Sequence, residues 1–183
     1  MLMEGNHSEV MTRRLKIIES QLDRLTQTIR NLLNSTRQPA PKLEPLDINH
    51  VLDEVINLTQ PGLRSRGIML MREMTAGLPY IQGDPMLLQQ VFLNLINNAL
   101  DAMSTGGTLT IGTKITSLPE EARYIEVVVA DTGVGMSEEV RKKATEPFFT
   151  TKEPGKGAGL GLAICDEIIR SHGGKLLVES ALG

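Results

Sequence analysis

Apolar residues near the start of the chain recur in alternating steps of four and three. They are Met11, Leu15, Ile18, Leu22, Leu25, Ile29 and Leu32. This a/d heptad spacing predicts one long amphipathic helix, whose apolar stripe needs a second helix to cover it. That second helix comes either from this chain or from self-association in a bundle. Two prolines within residues 38–41 end the helix, so we predict domains at residues 1–38 and 39–183.

Beyond the prolines, helical and strand periodicities alternate. Helices are predicted over residues 48–64, 84–103, 137–143 and 159–171, and strands over residues 68–74, 80–82, 108–115, 124–130 and 175–179. The pattern predicts an α/β fold, a two-layer α/β sandwich with one mixed sheet and helices on one face. The strand at residues 124–130 is almost purely apolar in its middle, so we expect it to be central.

Composition narrows the class of protein. The 183 residues are 40% hydrophobic with no Trp, and the net charge is −3. The core is therefore expected to be aliphatic. The sequence lacks the excess of basic residues that would predict nucleic-acid binding. The single cysteine, Cys165, fits a reducing compartment. Without a signal-peptide pattern or an apolar run near the roughly 20 residues of a membrane span, we expect a cytoplasmic chain. Any membrane anchor would lie in upstream segments of a parent protein.

Two asparagines on the second long helix are the first candidates for chemistry. Asn94 and Asn98 are four residues apart among apolar positions, so they share one face of the helix. Buried amides need hydrogen-bond partners. Those partners are either local backbone groups or a Mg²⁺ ion that bridges phosphate oxygens.

Two glycine-rich segments follow. Asp131 ends an apolar strand, where its carboxylate suits the exocyclic amine of adenine, although a plain strand-end turn is the alternative. Gly133 and Gly135 let the backbone approach a base or phosphates closely. The run Gly157-Ala158-Gly159-Leu160-Gly161 opens a helix, where unpaired N–H groups and the helix dipole favour phosphate. It is not a P-loop, because no Gly-Lys-Ser/Thr ending follows.

A short polar loop at residues 149–156 lies between these segments and carries Lys152 and Lys156. Such a loop is suited to cover phosphates. Lys152 is the first candidate for the γ-phosphate contact and Lys156 the second. The alternative is that both lysines are simply solvated.

Together and in this order, four segments resemble the N, G1, F and G2 boxes of two-component sensor histidine kinases, within the GHKL ATP-binding superfamily. They are residues 90–99, 131–136, 146–149 and 157–162. The Glu-Pro-Phe-Phe-Thr-Thr-Lys string at residues 146–152 is similar to the nitrogen-regulation subgroup. The resemblance implies a Bergerat ATP-binding fold. It also implies Mg-ATP as substrate, phosphoryl transfer to a histidine, and a response regulator receiver domain as partner.

The resemblance also implies roles for single residues. Asn98 would be the Mg²⁺ ligand, Asp131 would bind adenine, and Asn94, Asn98 and Lys152 would form the catalytic set. The other implied nucleotide-binding positions are Asp101, Gly133, Gly135, Met136, Phe148, Thr150, Thr151, Gly157, Ala158, Gly159, Leu160 and Gly161. Ala158 departs from the Thr or Ser common in the family. His172, at the end of the last helix, is interpreted as structural.

Residue 94 separates the function classes. Hydrolases of the superfamily, such as type II topoisomerases, place a glutamate there to activate water, whereas this chain has Asn94, and an amide is a poor general base. We therefore predict slow hydrolysis and transfer to an external histidine. The alternatives are an ATP-binding regulatory module and a GHKL ATPase without histidine phosphotransfer.

The phosphoacceptor histidine is not recognisable among His7, His50 and His172, because none stands in a His-Glu-x-x-Asn-Pro pattern. The heptad helix resembles the second helix of a dimerisation hairpin, through which the kinases of the family self-associate. We expect the sequence to be a fragment, with the first hairpin helix and a final strand outside it.

Overall fold

The computed structural model describes residues 41–104, 106–117, 123–153 and 157–182. The predicted heptad helix and Lys156 lie outside the described residues. In chain order the elements are β1 (Glu44–Leu46), α1 (Ile48–Ser65), β2 (Ile68–Met74), β3 (Ile81–Gly83), α2 (Pro85–Ala102), β4 (Gly107–Ser117), β5 (Arg123–Asp131), α3 (Glu138–Lys143) and α4 (Gly161–Ser171). None of these helices combines the length and the hydropathy that crossing a bilayer requires.

A three-stranded sheet in the order β2-β4-β5 forms one layer, with β4 parallel to β2 and antiparallel to β5. The register places Leu70 opposite Leu109 and Ile111 opposite Val129, so apolar residues align on one face. Intervening residues of β2 point away from the core, as shown by Met69, which is 62% exposed. The apolar face packs against the helices and produces the predicted two-layer α/β sandwich.

The core lies between this sheet and the three long helices. Its most buried side chains come from every layer: Leu52 and Val55 of α1, Ile96 of α2, Leu109 and Ile111 of β4, and Ile168 of α4. All six are aliphatic, which confirms the aliphatic core predicted from the composition. Burying a side chain of this size contributes about 1.5–3 kcal/mol.

Side-chain caps fix the start of three helices. The Asp84 carboxylate accepts hydrogen bonds from the Met86 and Leu87 N–H groups at 3.1 and 3.2 Å, with Pro85 in the first helical position. Asp47 and Ser137 cap α1 and α3 in the same way. The predicted starts of these helices are confirmed, and the cap of α2 sets the register of the two asparagines further along it.

His172 joins the end of α4 to the start of α2. Its Nε2 accepts a hydrogen bond from the Asp84 N–H at 2.9 Å, and its Nδ1 lies 2.7 Å from the Ile168 carbonyl oxygen. These partners require a neutral ring that carries its proton on Nδ1. The contacts support the interpretation of His172 as a structural residue.

The expectation of a single sheet with residues 124–130 at its centre is wrong. β5 lies at the edge of the described sheet, and a second sheet pairs β1 with β3. The apolar character of β5 reflects one packed face, which carries Ile125, Val127 and Val129. β1 was not predicted because three residues that include a proline carry no alternation.

Two predictions for the last segment, a strand and the start of a helix, are also wrong. Residues 175–179 form no strand among the described residues. The Val178 carbonyl oxygen instead accepts a hydrogen bond from the Arg141 guanidinium at 3.3 Å. α4 begins at Gly161 rather than Gly159, because Gly159 has a φ of 68°, which no right-handed helix contains.

Two leucines of α1 provide a matched test of the core. Leu52 is fully buried, whereas Leu58 is 66% exposed on the same helix. Leu52→Ala should lower the free energy of unfolding by about 2–5 kcal/mol, and Leu58→Ala by no more than about 0.5 kcal/mol. Urea unfolding of both variants measures the difference. Equal losses would contradict this placement of α1.

Candidate functional site

The N-terminus of α4 points at α2. A Cβ atom added at Gly161 would lie 3.9 Å from the side-chain nitrogen of Asn98. The other three helices have side-chain caps, but Leu160, the N-cap residue of α4, makes no side-chain cap hydrogen bond within the described part of the chain. Unsatisfied N–H groups and the helix dipole give this end a partial positive charge. The arrangement suits an anion such as phosphate.

A lysine from the polar loop lies beside this helix end. The Lys152 ammonium is 3.2 Å from Asn98 Oδ1 and 2.7 Å from Asp101 Oδ2. Gly157 lies against the side chain of the same lysine, since a Cβ atom added at Gly157 would lie 3.1 Å from Lys152 Cδ. The structure therefore brings together Asn98, Asp101, Lys152 and the start of α4, which the sequence separates by up to 63 positions.

Arg66, in the turn after α1, completes this cluster and was not predicted. Its Nη1 donates a hydrogen bond to the Leu100 carbonyl oxygen at 2.5 Å and lies 3.4 Å from Asp101 Oδ1. Asp101 thus accepts from Lys152 on one oxygen and from Arg66 on the other. No local motif marks Arg66, because its partner is 35 residues away.

Asn94 lies one helical turn before Asn98 and is engaged differently. Its side chain hydrogen-bonds to the thiol of Cys165 on α4. Burial raises the pKa of Cys165 to about 12, and the bond from Asn94 lowers it by less. The thiol therefore stays protonated at neutral pH. This contact ties α2 to α4 at the level of the site.

Asp131, at the end of β5, forms a tight turn with the glycine that follows. Its Oδ1 accepts a hydrogen bond from the Gly133 N–H at 2.9 Å. A Cβ at Gly133 would meet Ala102, at the end of α2, at 2.7 Å, so only glycine fits between the two segments. Asp131 itself is exposed. Within the described residues its second oxygen has no hydrogen-bond partner.

Gly135 and Met136 contact the end of the described chain. The Met136 N–H donates to Ser180 Oγ at 2.9 Å. Gly135 has a φ of 66°, and an added Cβ would overlap the Ala181 carbonyl oxygen. These two predicted nucleotide-binding residues therefore lie beneath residues 180–181.

The F and G2 segments meet backbone to backbone. Gly159 has a φ of 68°, and an added Cβ would lie 2.5 Å from the Phe148 carbonyl carbon. Phe148 has a φ of 68° as well and is 65% exposed. A positive φ is costly for an aromatic residue, so the turn must be held by its neighbours. Gly159 is that neighbour.

The remaining predicted residues lie on the rim of the site. Thr150 Oγ1 accepts a hydrogen bond from the Lys152 N–H at 3.1 Å and shapes the turn that precedes the lysine. Thr151 and Ala158 are exposed, whereas Leu160 is buried beneath α4. Leu160 can therefore offer only backbone groups to a ligand.

The residues present fit a magnesium ion bound together with phosphate. Asn98 Oδ1 is a hard oxygen ligand, half-buried, and already in contact with one cation, the Lys152 ammonium. Among the described residues, no three His, Cys, Asp or Glu side chains cluster to hold a metal. Mg²⁺ commonly binds through one or two protein oxygens plus substrate phosphates, so such a cluster is not needed.

The contact between Gly159 and Phe148 predicts a specific defect. Gly159→Ala should weaken ATP binding by about tenfold, equivalent to about 1.4 kcal/mol, because the methyl group displaces the F segment. Gly77→Ala is the control: Gly77 has a φ of 71° but nothing within 4 Å of an added Cβ. Both variants should lose about 1–2 kcal/mol of stability from the left-handed backbone. Calorimetric titration with ATP that shows equal affinity losses would contradict the proposed role of the contact.

Comparison with known proteins identifies the family. The profile of the family described as "Histidine kinase-, DNA gyrase B-, and HSP90-like ATPase" matches residues 83–183. That range contains all four segments described above.

The curated relatives are bacterial kinases. The chain is 36% identical over 180 residues to sporulation kinase A and 36% identical over 169 residues to sporulation kinase C, both of Bacillus subtilis. It is 35% identical over 167 residues to the sensor histidine kinase ZraS of Klebsiella oxytoca. The matches cover 97%, 91% and 91% of this chain but only 28%, 38% and 35% of these relatives.

Solved structures agree with the sequence comparison. The full-length kinase ShkA in complex with AMPPNP matches with a TM-score of 0.73 and 27% identity, over 88% of this chain and 34% of that one. The histidine kinase ThkA in complex with the response regulator TrrA matches with a TM-score of 0.71 and 27% identity, over 91% and 46%. The fold is therefore that of histidine kinase catalytic domains, the Bergerat fold. The chain belongs to the histidine kinase-, DNA gyrase B- and HSP90-like ATPase family, and within it the chain is similar to sensor histidine kinases.

Proposed function

We propose that this chain is the catalytic part of a sensor histidine kinase. It binds Mg-ATP and transfers the γ-phosphate to a histidine on a dimerisation helix, from which the phosphoryl group passes to an aspartate of a response regulator. The observation that carries the proposal is the uncapped N-terminus of α4, which faces Asn98 with the Lys152 ammonium beside it. This arrangement gathers positive charge and a metal-ligand oxygen in one place. The kinase names of the relatives support the transfer chemistry.

The phosphates would bind where the positive charge lies. The first N–H groups of α4, from Gly161 onward, would hold phosphate oxygens, and Lys152 would contact the γ-phosphate. Asn98 Oδ1 would hold Mg²⁺, which when bound neutralises charge on the phosphate oxygens. The chain's own task is then to position ATP and to keep its charge compensated.

Asp131 would bind the adenine base. One of its oxygens accepts from the Gly133 N–H, and the other has no hydrogen-bond partner among the described residues, on a side chain that is exposed. A carboxylate oxygen accepts from the exocyclic amine of adenine but repels the carbonyl oxygen that guanine has at that place. Asp131 would thus select ATP over GTP.

Transfer is favoured over hydrolysis because no base is present at position 94. The Asn94 amide bonds to the Cys165 thiol, and neither group accepts a proton from water at neutral pH. A histidine imidazole needs no such base. Its nitrogen forms the bond to the γ-phosphorus while the bond to the bridging oxygen breaks and ADP leaves.

The heptad stripe would place two such chains side by side through their N-terminal helices. A complex of the relative ThkA with a response regulator supports a receiver domain as the partner. A buried Cys165 with a free thiol and the need for ATP support the proposal that the domain lies in the cytoplasm.

The fate of the γ-phosphate tests the proposal. When the chain is incubated alone with Mg-ATP labelled at the γ-phosphate, it should bind the nucleotide and leave the label in ATP. When the dimerisation domain of a sporulation kinase is added, that domain should acquire the label in an acid-labile form. Asn98→Ala should abolish Mg-dependent binding, whereas Asn97→Ala, its exposed neighbour on α2, should not. Circular dichroism shows whether both variants fold.

Other outcomes identify the alternatives. Steady release of labelled phosphate would contradict the argument from Asn94 and favour an ATPase. Binding without transfer to any acceptor domain would favour a regulatory module. No ATP binding at all would refute the proposal.

Asp131→Asn tests the base contact. The amide can still accept from the Gly133 N–H, so the turn should survive. ATP affinity should fall by about tenfold to a hundredfold, because a hydrogen bond to a charged group contributes about 1.5–3 kcal/mol, and GTP should bind no worse than before. Asp53→Asn on α1 is the control, because it removes one negative charge away from the site and should leave ATP affinity unchanged. Equal affinities of the parent chain for ATP and GTP would contradict the assignment.

A further inference from the structure

We propose that the Lys152 ammonium occupies the cation position at Asn98 Oδ1 when no metal is bound. Asp101 holds it there, and Mg²⁺ must displace it. Arg66 acts as a positioning residue that limits how strongly Asp101 holds the lysine. The inference rests on the proposed function, because it assumes that Asn98 is the metal ligand. It adds a competition between a side chain and the metal for one oxygen atom.

The first step is the shared acceptor. Lys152 Nζ lies 3.2 Å from Asn98 Oδ1, the atom assigned to the metal. An ammonium group and a divalent cation repel each other strongly at such short range. The Lys152 ammonium therefore competes with Mg²⁺ for Asn98 Oδ1.

The second step is the anchor. The 2.7 Å bond from Lys152 to Asp101 Oδ2 is the shorter of the two lysine contacts and joins opposite charges. A lysine has three N–H donors, of which Asn98 and Asp101 take two. The third remains for a phosphate oxygen. Without metal, Lys152 can therefore link Asn98 to a nucleotide phosphate, as the metal otherwise would.

The third step is the limit on that anchor. Arg66 Nη1 lies 3.4 Å from Asp101 Oδ1 and is fixed by its bond to the Leu100 carbonyl oxygen. Asp101 therefore keeps a cationic partner after Lys152 leaves. Without Arg66, Lys152 would be the remaining cation that pairs with Asp101 among the described residues. Asp101 would then hold Lys152 more tightly.

The test measures ATP binding by calorimetry across a range of Mg²⁺ concentrations, with EDTA as the metal-free limit. The readout is the Mg²⁺ midpoint, the concentration that gives half of the metal-dependent gain in affinity. Lys152→Met should weaken metal-free ATP binding and lower the midpoint about threefold, a factor typical of a partly exposed ion pair. Lys114→Met, which removes an ion-paired lysine from β4, should leave the midpoint unchanged.

The anchor variants should act in opposite directions. Asp101→Asn should lower the midpoint by about the same factor, and Arg66→Gln should raise it. Arg64→Gln, an exposed arginine two residues earlier, controls for lost positive charge. In a Lys152→Met background Asp101→Asn should no longer lower the midpoint and Arg66→Gln should no longer raise it, because their effect passes through the lysine.

Two outcomes overturn the inference and leave the proposed function intact. In the first, Lys152→Met weakens ATP equally at every Mg²⁺ concentration, as a plain phosphate contact would. In the second, Asp101→Asn and Arg66→Gln shift the Mg²⁺ midpoint in the Lys152→Met background just as they do when Lys152 is present. A chain that binds no ATP under any condition would instead refute the proposed function itself.

Discussion

The packing of α4 against α2 determines where the candidate phosphate-binding groups of the site lie. Ile164, Cys165 and Ile168 of α4 are buried in the shared core, and the Cys165 thiol donates to the Val91 carbonyl oxygen at 3.7 Å. Because this face is fixed, the N-terminus of α4 is held over Asn98. The F segment lies against the G2 segment, and this contact requires a residue without a side chain at position 159.

Charge balance is the second constraint on the site. Asp101 and Lys152 compensate each other, and Arg66 adds a further positive charge next to the negative C-terminal end of α2. A triphosphate brings several negative charges to the same place. In the proposed arrangement the start of α4 and Lys152 contact the phosphates, and Lys152 gives up its contact with Asn98 when Mg²⁺ binds there. Lys152 would thus connect the nucleotide, the metal and a surface ion-pair network.

The parts of the fold that depend on local chemistry were predictable from the sequence. Asp84 and Pro85 mark the start of α2, and the spacing of Asn94 and Asn98 puts both on one helical face. What depends on distant packing was not predictable. The pairing of Arg66 with Asp101 has no local signal, and the apolar content of β5 does not distinguish an edge strand from a central one. Residues 175–179 have strand-like composition, yet they form no strand among the described residues, and the Val178 carbonyl oxygen accepts a hydrogen bond from the Arg141 side chain.

The central claim is that the four segments form one Mg-ATP site arranged around Asn98. The most direct measurement is a crystal structure of the chain with Mg²⁺ and a non-hydrolysable ATP analogue. We expect Asn98 Oδ1 in the metal coordination shell, Asp131 bonded to the adenine amine, and the Lys152 ammonium moved from Asn98 to the phosphates. Nucleotide bound elsewhere, or a metal ion that does not contact Asn98, would contradict it.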